Sequence, residues 1–214
     1  MDTEKYYKEL FDFEQALADY TGAPFVVLTD GCTHAIELCM RIDNVNVTDF
    51  TAYTYLSIPQ LMRNLNINYQ LISERWVGEY QFHGTNIWDS ARRLERGMYR
   101  KGQKQCLSFG NGKPLQLGRC GAILLDNEED YQLLSRMRSD GRDLHQTPWQ
   151  DHAVTKGYHY CPTLEDCKKG LELLPTINHQ PKYHSYPDCR KLNWTSSSQT
   201  RRENETTNIT NNTQ

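Results

Sequence analysis

One lysine of this chain lies in a context that could support amine chemistry. Lys113 follows a Gly-Asn-Gly turn at positions 110–112, and apolar, strand-like runs at 106–109 and 122–125 lie on either side of it. An amine displayed between two strands can bond covalently to the aldehyde of pyridoxal 5'-phosphate, a cofactor of amino-group transfer. Most lysines in glycine-rich turns are solvated surface charges, so the assignment depends on the residues that accompany this one.

Two polar residues at predicted strand ends could serve the same cofactor. Asp89 ends the run 85–88, where a carboxylate could pair with a pyridinium nitrogen and keep it protonated. The alternative is that Asp89 is the N-cap of a helix starting at Ser90, and the two roles can coexist. Ser108 lies five residues before Lys113, and its hydroxyl could contact the cofactor's phosphate.

A candidate anion site follows the first predicted strand. Gly31, Cys32 and Thr33 connect the apolar run 25–28 to a predicted helix, for which Thr33 can provide the cap. Free backbone N–H groups at a helix start, with a hydroxyl beside them, favour phosphate. Tyr55 could stack on the pyridine ring, although an aromatic residue in such a run is more often part of a core.

These residues depend on a predicted α/β fold. Strand-like and helical patterns alternate, which favours a mostly parallel sheet flanked by helices. The patterns predict helices over 5–20, from 33, and over 57–66, 128–139 and 163–174, and strands over 25–28, near 50 and over 67–72. We expect one domain over residues 1–177 and an irregular to disordered polar tail over 178–214.

Composition narrows the classes of partner. The chain has 214 residues, 24 Lys and Arg against 27 Asp and Glu, and a formal net charge of -3. Without a basic run we expect no nucleic-acid binding, and without a long apolar run or a signal peptide we expect a cytoplasmic protein that does not enter membranes. The seven cysteines are then reduced thiols, and their spacing predicts no metal site.

The order of motifs resembles one enzyme family. From about Phe13 to Leu174 the chain is similar to the DegT/DnrJ-type aminotransferases, which are pyridoxal phosphate enzymes of fold type I that aminate nucleotide-linked keto sugars. The segments that carry the resemblance are GCTHAIEL, FTAYTYLSIPQLM, IWDSA, LSFGNGKPLQLGRCGAILLDNEE, RMRSDGRD and GYHYCPTLEDCKKGLELL, which begin at positions 31, 50, 87, 107, 136 and 157.

The resemblance implies a role for each candidate residue. Lys113 would bind the cofactor covalently, and Asp89 would hold the pyridinium nitrogen. Its phosphate would be held by Thr33, by the amides around Cys32 and by Ser108. Tyr55 would stack on the ring.

The resemblance also implies a reaction and an assembly. It points to a transaminase of polysaccharide biosynthesis, with an amino-acid donor and a keto sugar acceptor. The enzyme would be a homodimer in which His159 contacts the phosphate of a neighbouring subunit.

Three departures from the family support a second hypothesis. Arg92 stands where the family has Gln or His near the cofactor's phenolic oxygen, and the stretch between 71 and 89 is too short for the usual strand and helix. After Leu174 the family's small C-terminal domain is essentially missing. The second hypothesis is therefore a catalytically impaired protein of this fold that binds cofactor or a partner. Sugar dehydration is less consistent with Lys113, because dehydrating members carry histidine in its place.

Overall fold

Residues 3–152 and 154–194 are described by the computed structural model, and they form six α-helices and seven β-strands. The helices are α1 (Thr3–Tyr6), α2 (Lys8–Thr21), α3 (Cys32–Ile42), α4 (Ser57–Asn64), α5 (Glu128–Arg138) and α6 (Leu164–Leu173). The strands are β1 (Phe25–Thr29), β2 (Val47–Thr51), β3 (Asn68–Ile72), β4 (Tyr80–Gln81), β5 (Ile87–Asp89), β6 (Lys104–Ser108) and β7 (Gly121–Leu125).

Five strands form the central sheet in the order β1-β7-β6-β5-β4. β7 is antiparallel to both β1 and β6, β5 is parallel to β6, and β4 is antiparallel to β5. The strands β1, β5 and β6 therefore share one direction, and the sheet is mixed. β2 and β3 form a separate parallel pair, joined to the region after β4 by a bridge between Asp49 and His83.

Alternating side chains of the central strands build a core on each face of the sheet. Val26 and Leu28 of β1 belong to the core beneath α2 and α6, whereas Val27 belongs to the core beneath α3, α4 and α5. Helices α2 and α6 pack so closely that a Cβ at Gly170 would lie 2.4 Å from Cζ of Phe13, and only glycine fits there. Strands buried on both faces are expected of an α/β sheet, and the predicted α/β class is confirmed. The central sheet is mixed where a mostly parallel one was expected, because β7 and β4 run against their neighbours.

The alternative helix after Asp89 and the predicted cap at Thr33 are not found in the structure. No helix follows Asp89, because Ser90 N–H donates to the Cys106 carbonyl and the Asp89 carboxylate accepts from Ala91 N–H, which closes a turn instead. Thr33 does not cap α3, since that helix begins at Cys32 with Gly31 at the N-cap position and without a side-chain cap bond among the described residues.

The chain returns to the central sheet after α6. Residues 178–194 have little regular structure apart from a short 3-10 turn at Cys189–Lys191, and we call them the C-terminal strap. Cys189 is buried, its N–H donates to the Ala52 carbonyl, and its thiol donates to the Thr54 carbonyl. The rest of the predicted tail, residues 195–214, lies outside the described residues. The boundary at residue 177 stays a prediction.

Candidate active site

The strands that share a direction bring three polar segments to one edge of the sheet. Thr29 ends β1 and leads to Gly31, Asp89 ends β5, and Ser108 ends β6. The carboxyl ends of such strands form the usual ligand crevice of an α/β sheet. A cavity of about 780 Å³ opens there. Of the nine predicted site residues, eight line it, namely Gly31, Cys32, Thr33, Tyr55, Asp89, Arg92, Ser108 and Lys113.

Asp89 is a buried carboxylate at this cavity, with 4% of its surface exposed. One of its oxygens accepts from the Tyr80 hydroxyl at 2.9 Å, and the other accepts from Ala91 N–H at 3.0 Å and contacts the Cys32 thiol at 3.9 Å. Loss of hydration raises the pKa of Asp89, and the Lys113 charge opposes this rise. The cavity thus contains a carboxylate that would gain from a nearby positive charge.

The same carboxylate acts on its neighbours. Burial, followed by the charge of Asp89, raises the pKa of the Cys32 thiol and of the Tyr80 phenol well above their ordinary values. Both groups therefore remain neutral hydrogen-bond donors to Asp89. The Tyr80 hydroxyl also lies 2.7 Å from the Thr54 hydroxyl, which holds the phenol in place.

The first turn of α3 provides backbone donors to the cavity. Gly31, Cys32 and Thr33 all line it, and the Thr33 hydroxyl lies 2.7 Å from that of Ser57, the first residue of α4. A Cβ at Gly121 would lie 2.6 Å from the Cys32 nitrogen, so only glycine lets β7 start this close to the helix. The packing of β7 thereby fixes the helix start at the edge where the other polar groups lie.

Lys113 projects from the loop between β6 and β7. Gly112 has φ +71°, a left-handed conformation that glycine adopts without strain, and Lys113 N–H donates to the Gly110 carbonyl at 3.2 Å. The Lys113 ammonium is half-buried and donates to the Tyr186 hydroxyl at 3.4 Å. Lys113 and Asp89 line the same cavity, and the Lys113 charge opposes the rise in the pKa of Asp89 and of the Cys32 thiol.

Arg92 lies on the same wall as Lys113. Its guanidinium donates to the Gly112 carbonyl at 2.6 Å and to the Tyr186 hydroxyl at 3.1 Å. His184 lines the cavity nearby, and its pKa is lowered by partial loss of hydration and then by the charges of Arg92 and Lys113. This part of the cavity lining therefore carries positive charge, and the buried carboxylate of Asp89 lines the same cavity.

The remaining predicted site residues differ in their placement. Ser108 lines the cavity at the end of β6, and Tyr55 lies at its mouth with 64% of its surface exposed. His159 is not among the lining residues; its side chain is 91% exposed and lies 3.2 Å from the Asp140 carboxylate. Its predicted contact with another subunit's cofactor therefore stays a prediction.

Four lining or supporting residues were not found from the sequence. Ser57 could have been suspected, because a serine at a predicted helix start is a common partner for anions. Tyr80 lies in a two-residue strand that carries no periodic pattern. His184 and Tyr186 lie in the segment that was predicted to be an irregular tail, and no local signal places them at the site.

Comparison with known proteins agrees with this architecture. The model of the DegT/DnrJ/EryC1/StrS aminotransferase family matches residues 2–71, which include β1, α3 and the first part of the site. The predicted resemblance to this family is confirmed over that segment. No curated relative matches the chain significantly.

Solved structures extend the likeness to most of the chain. AtS13 from Actinomadura melliaura is 18% identical, with a TM-score of 0.66 over 78% of this chain and 60% of its own. The Streptococcus pneumoniae protein Spr1654 in its PLP form is 17% identical, with a TM-score of 0.64 over 79% of this chain and 59% of its own. The fold is that of the fold-type I aminotransferases.

A third solved structure has a similar fold at lower sequence identity. Helicobacter pylori PseC, an aminotransferase involved in the biosynthesis of pseudoaminic acid, is 12% identical, with a TM-score of 0.61 over 82% of this chain and 63% of its own. The chain thus spans about three fifths of the length of the aminotransferases whose fold it shares. None of its described helices is both long and apolar enough to cross a membrane.

Proposed function

We propose that this chain is a pyridoxal phosphate-dependent aminotransferase that moves an amino group from an amino-acid donor to a nucleotide-linked keto sugar. One observation carries the proposal. A half-buried lysine, a buried carboxylate and an uncapped helix start line one cavity of about 780 Å³. The family match over residues 2–71 and the shared fold support it.

The residues at the cavity fit the cofactor. Asp89 is buried and receives hydrogen bonds from neutral groups, so a protonated ring nitrogen would supply a cation close to it. The amides of α3, with the hydroxyls of Thr33 and Ser57, would hold the phosphate. Lys113 lines the same cavity, where its amine would bond to the aldehyde.

Each residue then has a defined task. Bound pyridoxal phosphate supplies an electron sink for the substrate carbon. Asp89 would hold the proton on the ring nitrogen, and Tyr80 fixes the Asp89 carboxylate. Ser108, the hydroxyls of Thr33 and Ser57 and the start of α3 would hold the phosphate. The free Lys113 amine would move the proton of the substrate carbon.

We also propose that the site is completed in a homodimer. The support is the placement of His159, whose imidazole is exposed and does not line the cavity of its own subunit. His159→Ala should then weaken cofactor uptake, and a mixture of His159→Ala and Lys113→Ala chains should recover part of it. Recovery would be absent if each subunit used only its own residues.

Seven free thiols support placing this enzyme in the reducing cytoplasm, because none of the cysteines forms a disulfide. Polysaccharide biosynthesis is the process in which an amino sugar product of this kind is consumed, and we propose it as the pathway class.

Cofactor uptake provides the first test. Wild-type protein titrated with pyridoxal phosphate should develop the visible absorbance band of lysine-bound cofactor, and Lys113→Ala should not. Lys101→Ala is the matched control, since Lys101 is an exposed lysine in another glycine turn. Equal bands in all three proteins would contradict the assignment of Lys113.

Turnover provides the second test. Addition of glutamate should remove the band as the amino group moves to the cofactor. A band that persists with every amino donor would instead support the catalytically impaired, cofactor-binding protein. A protein that takes up no cofactor would end both proposals.

A further inference from the structure

The C-terminal strap crosses the mouth of the candidate site. At one end His179 contacts the Arg92 carbonyl at 3.0 Å, and at the other the buried Cys189 is fixed to the Ala52 and Thr54 carbonyls. Between these anchors His184 and Tyr186 line the cavity. The strap is therefore a wall of the site that is attached on both sides.

The ring of Tyr186 is held by stacking, and its hydroxyl accepts hydrogen bonds from two cationic side chains. The ring stacks on Trp76 at a centroid distance of 5.6 Å with 16° between the planes. The hydroxyl accepts from Arg92 Nε at 3.1 Å and from Lys113 Nζ at 3.4 Å. A phenol held in this way presents its oxygen at one fixed position beside the lysine.

The Asp89 carboxylate does not accept a hydrogen bond from Lys113 in place of Tyr186. Both oxygens of Asp89 already accept hydrogen bonds, from Tyr80 and from Ala91, and the structure gives no direct bond between Asp89 and Lys113. The ammonium is attracted by the Asp89 charge but donates to Tyr186. Its resting position is thus set by the strap.

We propose that Tyr186 is a positioning residue that holds the Lys113 amine at the cavity wall whenever that amine is not covalently bound. The proposal rests on the proposed function. A transaminase must release its lysine in each half-reaction, and the released amine has to stay near the substrate carbon to move a proton. Tyr186 supplies a neutral acceptor that holds the amine without the strong attraction of a second carboxylate.

Lysine reactivity tests the contact without cofactor. The full-length protein is treated with trace acetic anhydride at graded pH, and acetylation of Lys113 is measured by peptide mass spectrometry against that of Lys101. In Tyr186→Phe the ring stays on Trp76, but the hydrogen-bond acceptor of the Lys113 amine is lost. Lys113 should then be acetylated about fivefold faster, because the amine is no longer held in that hydrogen bond.

Tyr183→Phe is the matched control, because this phenol lies on the same strap and pairs with Arg75 instead of with Lys113. It should leave the Lys113 profile unchanged. An unchanged rate in Tyr186→Phe, or equal shifts in both variants, would overturn the proposal. Thermal unfolding of both variants is recorded to show that the strap stays folded.

A cofactor measurement separates this proposal from the proposed function. In Tyr186→Phe the released amine is less confined, so the glutamate half-reaction should slow about tenfold while the cofactor band still forms. If the half-reaction rate is unchanged, the positioning role fails although the enzyme assignment stands. If no variant binds cofactor but acetylation still differs, the contact is real and the proposed function fails.

Discussion

Two of the buried carboxylates, those of Glu14 and Asp89, have opposite surroundings. Glu14 of α2 is 6% exposed and is paired with the buried guanidinium of Arg138, while it also accepts from Leu28 N–H at 2.8 Å. Asp89 is 4% exposed and accepts from the neutral groups Tyr80 and Ala91. Burial raises the pKa of both carboxyl groups, and in each case the nearest cation opposes the rise.

The difference distinguishes a structural charge from a site charge. The Arg138 guanidinium bonds directly to Glu14 and to the Leu28 carbonyl, so this pair is completed within the protein and joins α2, β1 and α5. Asp89 has no such direct cationic partner among the described residues. A buried carboxylate without a directly bonded cation lowers the stability of the folded state, and it can bind a ligand that brings a positive charge.

The largest expected effect is at the structural pair. Arg138→Met should destabilise the protein by about 3 kcal/mol near neutral pH, because Glu14 is left buried without its cation. The loss should be smaller at low pH, where Glu14 takes up a proton. Urea unfolding at two pH values measures both effects.

The double variant Glu14→Gln/Arg138→Met provides the matched comparison for that prediction. It should recover much of the lost stability, because no uncompensated charge remains. Lys8→Met, which removes an exposed ion pair with Asp12, should leave the unfolding midpoint unchanged. A single variant as stable as wild type would show that Glu14 and Arg138 are not coupled.

Removal of the charge of Asp89 should stabilise the fold, whereas removal of the charge of Arg138 should destabilise it. Asp89 has a folded-state pKa above its unfolded value, so its ionisation destabilises the fold above the unfolded pKa, and this cost disappears as the pH falls through that value. Asp89→Asn should therefore raise Tm by a few degrees at about pH 7 and have little effect at about pH 3. The variant should also lose most of its affinity for pyridoxal phosphate.

Asp12→Asn, on the exposed face of α2, is the control for Asp89→Asn and should leave cofactor uptake unchanged. Calorimetry without cofactor and absorbance titration with it measure the two effects separately. A destabilised Asp89→Asn protein would mean that Asp89 is a structural carboxylate like Glu14, and the contrast between the two regions would fail.

The smallest effect concerns the cationic wall. Because His184 has a lowered pKa, its proton is lost more easily in the folded state than in the unfolded chain. Its NMR titration midpoint should lie below the ordinary histidine value, and Arg92→Gln should move it part of the way back. High salt should have a similar effect, since it screens exposed charges. A His184 midpoint unchanged by both treatments would show that the charges of Arg92 and Lys113 have little effect on this imidazole.

Parts of the site could be predicted because each signal is local. The glycine turn before Lys113, the strand end at Asp89 and the Gly-Cys-Thr segment before α3 are all legible within a few residues. The predicted cap at Thr33 was wrong because the neighbouring β7 fixes where the helix starts, and the start of β7 is a tertiary contact of Gly121. Tyr186 was missed because it reaches the site from 73 residues away in the chain.

The sequence by itself determined the α/β alternation and the residue types available for chemistry, because hydrophobic period and turn composition are short-range properties. The tertiary structure decided the rest. It reversed β7 against its neighbours, buried Asp89 without a directly bonded cation and brought the C-terminal strap across Lys113. These outcomes depend on which distant surfaces pack together, and packing of this kind leaves no pattern in neighbouring residues.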